Sequence, residues 1–164
     1  MTAHRPEPLT AAAFAPFGQV HTFHAAPGQN VIERAFDRTP DAGRPVIALV
    51  NLETAATLPL ELHRLERHPH SAQTFVPLTG ARCLIAVCGN APDGSPDLAT
   101  LRLFVAGPDQ AVTYDRAVWH HGLTVLQAPS AFVMAMAQTG RNDDTEFHEL
   151  PAPLQVLEPA AAGR

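Results

Sequence analysis

Proline and glycine interrupt this chain so often that a long helix has nowhere to form: 16 Pro and 10 Gly fall among 164 residues. That punctuation excludes coiled coils, helical repeats and bundles, and favours an all-β or β-rich fold. Between the breaks lie short runs rich in Val, Ile, Leu, Phe and Thr: QVHTFH, VIALVN from Val46, LELHRLE, QTFVPL, RCLIAVCG, LRLFVAG, AVTY, LTVLQA and AFVMAMA. Their spacing of about 8–12 residues is that of a sandwich or barrel. One short N-terminal helix is expected, with Thr10 capping AAAF and Pro16 and Gly18 ending it. NAPDGSPD at 90–97 reads as the clearest surface loop.

The length suits one domain, taken as 1–164, with the Pro/Ala-rich tail packing one segment and fraying after about 155. The net charge is −5 and no basic stripe occurs, so nucleic acid is an unsuitable partner. All eleven basic residues are Arg; without Lys, Schiff-base chemistry and a P-loop lysine are excluded. Neither a signal segment nor a run of about 20 apolar residues is present, which predicts a cytoplasmic protein without a membrane partner. Cys83 and Cys88 lie an odd offset apart on one predicted strand, hence on opposite faces, and read as reduced core residues.

The chemistry concentrates in LELHRLERHPHSAQTFVPLTG. Read as a strand, Leu60, Leu62, Arg64 and Glu66 share one face and Glu61, His63, Leu65 and Arg67 the other, and neither face alternates cleanly. His68 and His70, two apart, can converge on one ion, although Pro69 between them demands a break or an edge. His68-x-His70-x-x-Gln73, followed after six residues by Gly80, resembles the first metal-binding motif of the cupins. Gln73 stands where that motif has Glu and one place early. The second motif is approximated by Asp115-x-Ala117-x-x-His120, without its proline and glycine.

The longer words ERHP, QTFVP and VWHH, with AAFAPFGQV and SPDLATLRLF, resemble the ureidoglycolate lyase family over most of the chain. The resemblance implies a mainly β, cupin-like barrel of jelly-roll type, commonly a homodimer. It also implies cleavage of (S)-ureidoglycolate to glyoxylate and urea in allantoin and purine-nitrogen catabolism, with nickel as the usual divalent metal. Glu66, Arg67, His68, Gln73, Trp119, His120 and His121 fall on motif positions; His70 does not.

Ureidoglycolate is a hemiaminal, so its cleavage needs a hydroxyl proton removed and a proton supplied to the departing urea. A divalent cation on His68 and His120, with Gln73 and His70 as further candidate ligands, suits that chemistry. Arg67 is the first choice to grip the substrate carboxylate and Arg116 the second. Glu66 or His121 would move the proton, Gln73 would meet the substrate amide, and Trp119 would wall the pocket. Plain structural roles compete: a hydrogen-bonded histidine, an Arg67 ion pair to Glu66 or Glu61, a Gln73 bonded to backbone. Two other functions also compete, an amidohydrolase releasing ammonia from the same substrate and a non-catalytic cupin module that binds a small carboxylate.

Overall fold

The structure, a computed structural model, describes residues 3–23 and 26–159. In chain order the elements are β1 (Ala3–His4), β2 (Glu7–Pro8), α1 (Ala11–Phe14), β3 (Gly18–Thr22), β4 (Arg44–Leu52), β5 (Leu60–Arg67) and β6 (Gln73–Pro77). They continue with β7 (Cys83–Asn90), β8 (Pro96–Ala106), β9 (Gln110–Tyr114), β10 (Trp119–His120), β11 (Thr124–Val125), β12 (Ser130–Gln138) and β13 (Glu146–Val156). One sheet has the order β1-β13-β5-β10-β7-β8-β2, with β11 also on β7; the other runs β3-β9-β6-β12-β4. Facing each other across a shared core, they form the mainly β, barrel-like fold expected from the sequence.

The core between the sheets draws Ile85, Val87 and Phe104 from the first and Val112, Tyr114 and Phe132 from the second. Helix α1 packs on the core through Phe14. Thr10 accepts a hydrogen bond from the Ala13 amide, as its capping role requires, and Phe14 is fully buried against Phe17, Phe104 and Tyr114. Burial of one such ring contributes about 2–3 kcal/mol. Directly after the helix, Gly18 at φ 153° passes so close to β9 that a Cβ would lie 1.9 Å from the Thr113 carbonyl oxygen. Only glycine fits there.

Strand β7 separates its residues by parity. Cys83, Ile85 and Val87 enter the inter-sheet core, whereas Leu84 and Ala86 join Leu62, Leu103 and Val156 in a second cluster and Cys88 joins Leu65 and Trp119 in a third. The two thiols are free and buried on opposite faces, as their offset predicts. The blurred alternation of β5 also has a physical origin. Its outer apolar positions change from Leu60 and Leu62 to Leu65, and the β5/β13 ladder shifts register between Glu149 and Leu154. That irregularity accommodates Pro151 and Pro153, which have no N–H to give to a ladder.

Several expectations need correction. The 90–97 loop is shorter, because Pro96 and Asp97 already pair with Asn90 and Gly89 in β8. LTVLQA supplies only the two residues of β11. The packed tail segment is β13, with Val156 fully buried and the Leu157 amide donating to the His4 carbonyl. Residues 160–164 lie outside the described residues. Among those described, no helix is long and apolar enough to cross a membrane.

Candidate metal centre

Strand β5 delivers Glu66 and, just past its end, His68, which alternation places on one face. His120 on β10 is paired directly with Glu66 on one side and with Val87 of the inter-sheet core on the other, so all three look into the barrel. One ligand atom from each of Glu66, His68 and His120 lies within 4.8 Å of the others. Glu66 Oε1 is 3.7 Å from His120 Nε2, and the imidazole centroids are 5.2 Å apart.

Both rings are held by the nitrogen that faces away. His68 Nδ1 donates to the Asp144 carbonyl at 2.9 Å, with Thr145 Oγ1 at 3.3 Å. His120 Nδ1 donates to the Val118 carbonyl at 2.9 Å. Each bond fixes the tautomer and leaves an Nε2 lone pair for the interior. Neither buried Nε2 has a hydrogen-bond partner. Burial, reinforced by the neighbouring His68, pushes the His120 pKa down to about 3, so the ring is neutral at physiological pH. One orphaned buried acceptor costs about 1–3 kcal/mol; two of them facing a carboxylate describe a ligand set. Two imidazoles and a carboxylate suit a borderline divalent cation.

Gln73 is buried opposite Tyr114 and Met136 on its neighbouring strands, which places it on the inward face with Tyr114. Its amide nitrogen meets only Met136 Sδ at 3.7 Å, and its buried Oε1 has no partner. Beside the centre, Arg64, Leu65, Glu66, His121 and Gly122 line a cavity of about 100 Å³. His121 Nδ1 lies 3.0 Å from the Gly122 carbonyl and 3.1 Å from Thr124 Oγ1. Burial is the main cause of its lowered pKa.

A profile described as ureidoglycolate lyase matches residues 1–157. The chain belongs to the ureidoglycolate lyase family. A relative from Agrobacterium fabrum is 41% identical over 149 residues, covering 91% of each chain. The ureidoglycolate lyase of Brucella melitensis is 37% identical over 148 residues, 85% of each chain. That of Escherichia coli is 34% identical over 154 residues, 88% of this chain and 92% of its own. Among solved structures, an oxalate decarboxylase variant from Bacillus subtilis overlaps 88% of this chain and 30% of its own, at 15% identity and a TM-score of 0.42.

Within this member of the ureidoglycolate lyase family, the residues singled out from sequence separate into two groups. Glu66, His68, His120 and Gln73 share the barrel interior, and His121 borders it. Arg67 and Trp119 face the other way. The Arg67 guanidinium bonds Glu146 at 2.6 Å, Asn90 at 2.7 Å and the Gly94 carbonyl at 2.8 Å, and lies 4.6 Å over the Trp119 ring. The Trp119 indole N–H donates to the same Gly94 carbonyl at 3.1 Å. Strand pleating opposes Arg67 to Glu66 and Trp119 to His120, so neither the clamp nor the pocket wall expected of them is placed at the centre. Arg116 is exposed and lines none of the cavity. His70 lies 3.8 Å from Asp143 instead of joining His68, because Pro69 ends the extended run.

Glu66, a candidate proton carrier from the sequence, stands with its carboxylate beside the His68 and His120 ligand atoms, and Glu66-x-His68 has the same two-residue spacing as His68-x-His70. Tyr114, stacked on His120 with centroids 4.2 Å apart, had no local signal.

Proposed function

We propose that this protein is a metal-dependent ureidoglycolate lyase, which splits (S)-ureidoglycolate into glyoxylate and urea in allantoin and purine-nitrogen catabolism. The observation that carries the reading is the convergence of Glu66, His68 and His120, with two buried Nε2 atoms lacking partners, in a chain of this family. A bound divalent cation, nickel in this reading, would supply Lewis acidity toward the substrate's hydroxyl and carboxylate oxygens. Glu66, His68 and His120 would hold it. Gln73 stands inward with a free Oε1, suited to accept from a ureido N–H.

The reaction moves one proton overall from oxygen to nitrogen: the hydroxyl O–H is lost, C=O forms, the C–N bond breaks and the leaving urea nitrogen is protonated. His121 suits that transfer. With Nδ1 engaged by the Gly122 carbonyl and burial holding the ring neutral, its Nε2 can take the proton and return it. Glu66, needed as a ligand, is relieved of that role.

The same reading has one domain acting as a cytoplasmic homodimer. Both sheets share one core. Ile47 and Leu49, 69% and 70% exposed on the edge strand β4, offer an apolar stripe to a second copy. Two reduced cysteines fit a reducing compartment. The test is to incubate chelated and nickel-reloaded protein with fresh ureidoglycolate, subtract spontaneous decay, and measure urea and ammonia separately. Metal-dependent urea without ammonia is expected. Ammonia would make it an amidohydrolase, and binding without turnover a non-catalytic module.

A further inference from the structure

We propose that Arg64 is the residue that grips the substrate's carboxylate; this rests on the lyase reading for its substrate and on the cavity beside the metal centre for its location. Arg64, Glu66 and His68 follow one another at two-residue intervals along β5 and its extension, which puts them on one face about 7 Å apart. Arg64 and Glu66 line the cavity of about 100 Å³ together with His121 and Gly122. Its other lining residue is Leu65, so Arg64 is the one guanidinium on that wall.

The side chain is poised and free. Its guanidinium carbon lies 4.7 Å over the ring of Phe147, and among the described residues it forms no ion pair or hydrogen bond, in contrast to Arg67 with its three partners. Stacking holds one face of the planar group and leaves the N–H edge open for both oxygens of a carboxylate. Phe147 is itself 55% exposed and sits directly across from Glu66 on β13, so His120, Glu66 and Phe147 form a row across three strands. An exposed phenylalanine in that row has little packing to do; as a platform it aims Arg64 at the centre.

The test compares wild-type protein with Arg64→Gln, Arg64→Lys and Phe147→Leu, all nickel-loaded, on ureidoglycolate and on N-(hydroxymethyl)urea, the hemiaminal that lacks the carboxylate. Glyoxylate binding is measured separately by calorimetry. Arg64→Gln should raise KM for ureidoglycolate about 10- to 100-fold with kcat little changed, weaken glyoxylate by a similar factor and leave N-(hydroxymethyl)urea turnover unaltered. Arg64→Lys should recover part of the loss, and Phe147→Leu should show a smaller one. A KM and glyoxylate affinity within twofold of wild type, or equal losses on both hemiaminals, would overturn the assignment. If the wild type fails to cleave ureidoglycolate, the lyase reading falls alone; the glyoxylate calorimetry then decides Arg64 by itself.

Discussion

The imidazole of His120 lies flat on the phenol ring of Tyr114, centroids 4.2 Å apart and planes 12° from parallel. Together with the Val118 carbonyl on Nδ1, the stack removes rotational freedom from the ring and keeps Nε2 pointed at Glu66 and His68. Tyr114→Phe should therefore preserve metal affinity, whereas Tyr114→Ala should reduce it about 10- to 100-fold, the usual effect of removing a group that orients a ligand. Calorimetric titration with nickel reads both.

Removing a ligand outright should cost more than removing its support. His68→Ala and His120→Ala should each lower urea production by at least about 100-fold, and Glu66→Gln should weaken nickel binding while leaving the fold intact. Chelation of the wild type should reproduce the loss and nickel should reverse it. Wild-type turnover that survives exhaustive chelation would remove the basis for the centre.

Acid should destabilise the metal-free protein through its buried histidines. Burial lowers the pKa of His120 to about 3, and lowers those of His121 and His21 as well. The unfolded chain takes up protons near 6.5 while the folded protein refuses them. Their contribution to stability is thus complete above that pH and is lost as the pH falls; for the fully buried His120 the loss continues toward pH 3, at about 1.4 kcal/mol for each unit of separation. Urea midpoints of chelated protein should fall between pH 7 and 4.5, and less steeply for His120→Gln.

Arg67 should matter for stability and not for substrate. It joins Glu146, Asn90, Gly94 and the Trp119 ring on the outer face. With Glu146 itself 46% exposed, Arg67→Ala should cost about 1–2 kcal/mol in urea denaturation and change KM less than twofold. A KM effect as large as that of Arg64→Gln would return the clamp to Arg67.

Cys83 and Cys88 should resist alkylation until the protein unfolds. Burial pushes both thiols up to about 12, with Asp97 adding to the effect at Cys88, and the thiolate is the reactive form. Iodoacetamide incorporation should rise only across the denaturation transition, followed by mass spectrometry.

Local sequence determined whatever depends on near neighbours: the cap at Thr10, the short strands, the opposed faces of Cys83 and Cys88, and the family words that hold His68 and His120. Strand alternation also put Arg64, Glu66 and His68 in one row. Only the tertiary structure decided how the rows meet. The pairing of β10 with β5 and β7 brings His120 opposite Glu66 and turns Trp119 outward. Register across β5 and β13 sets Arg67 opposite Glu146 and Phe147 opposite Glu66, where Arg64 reaches its ring diagonally. A shift of one residue in a ladder reverses every side chain on the strand, so four adjacent residues, Arg64 to Arg67, contain both the candidate clamp and the structural arginine, and their order in the chain does not distinguish them.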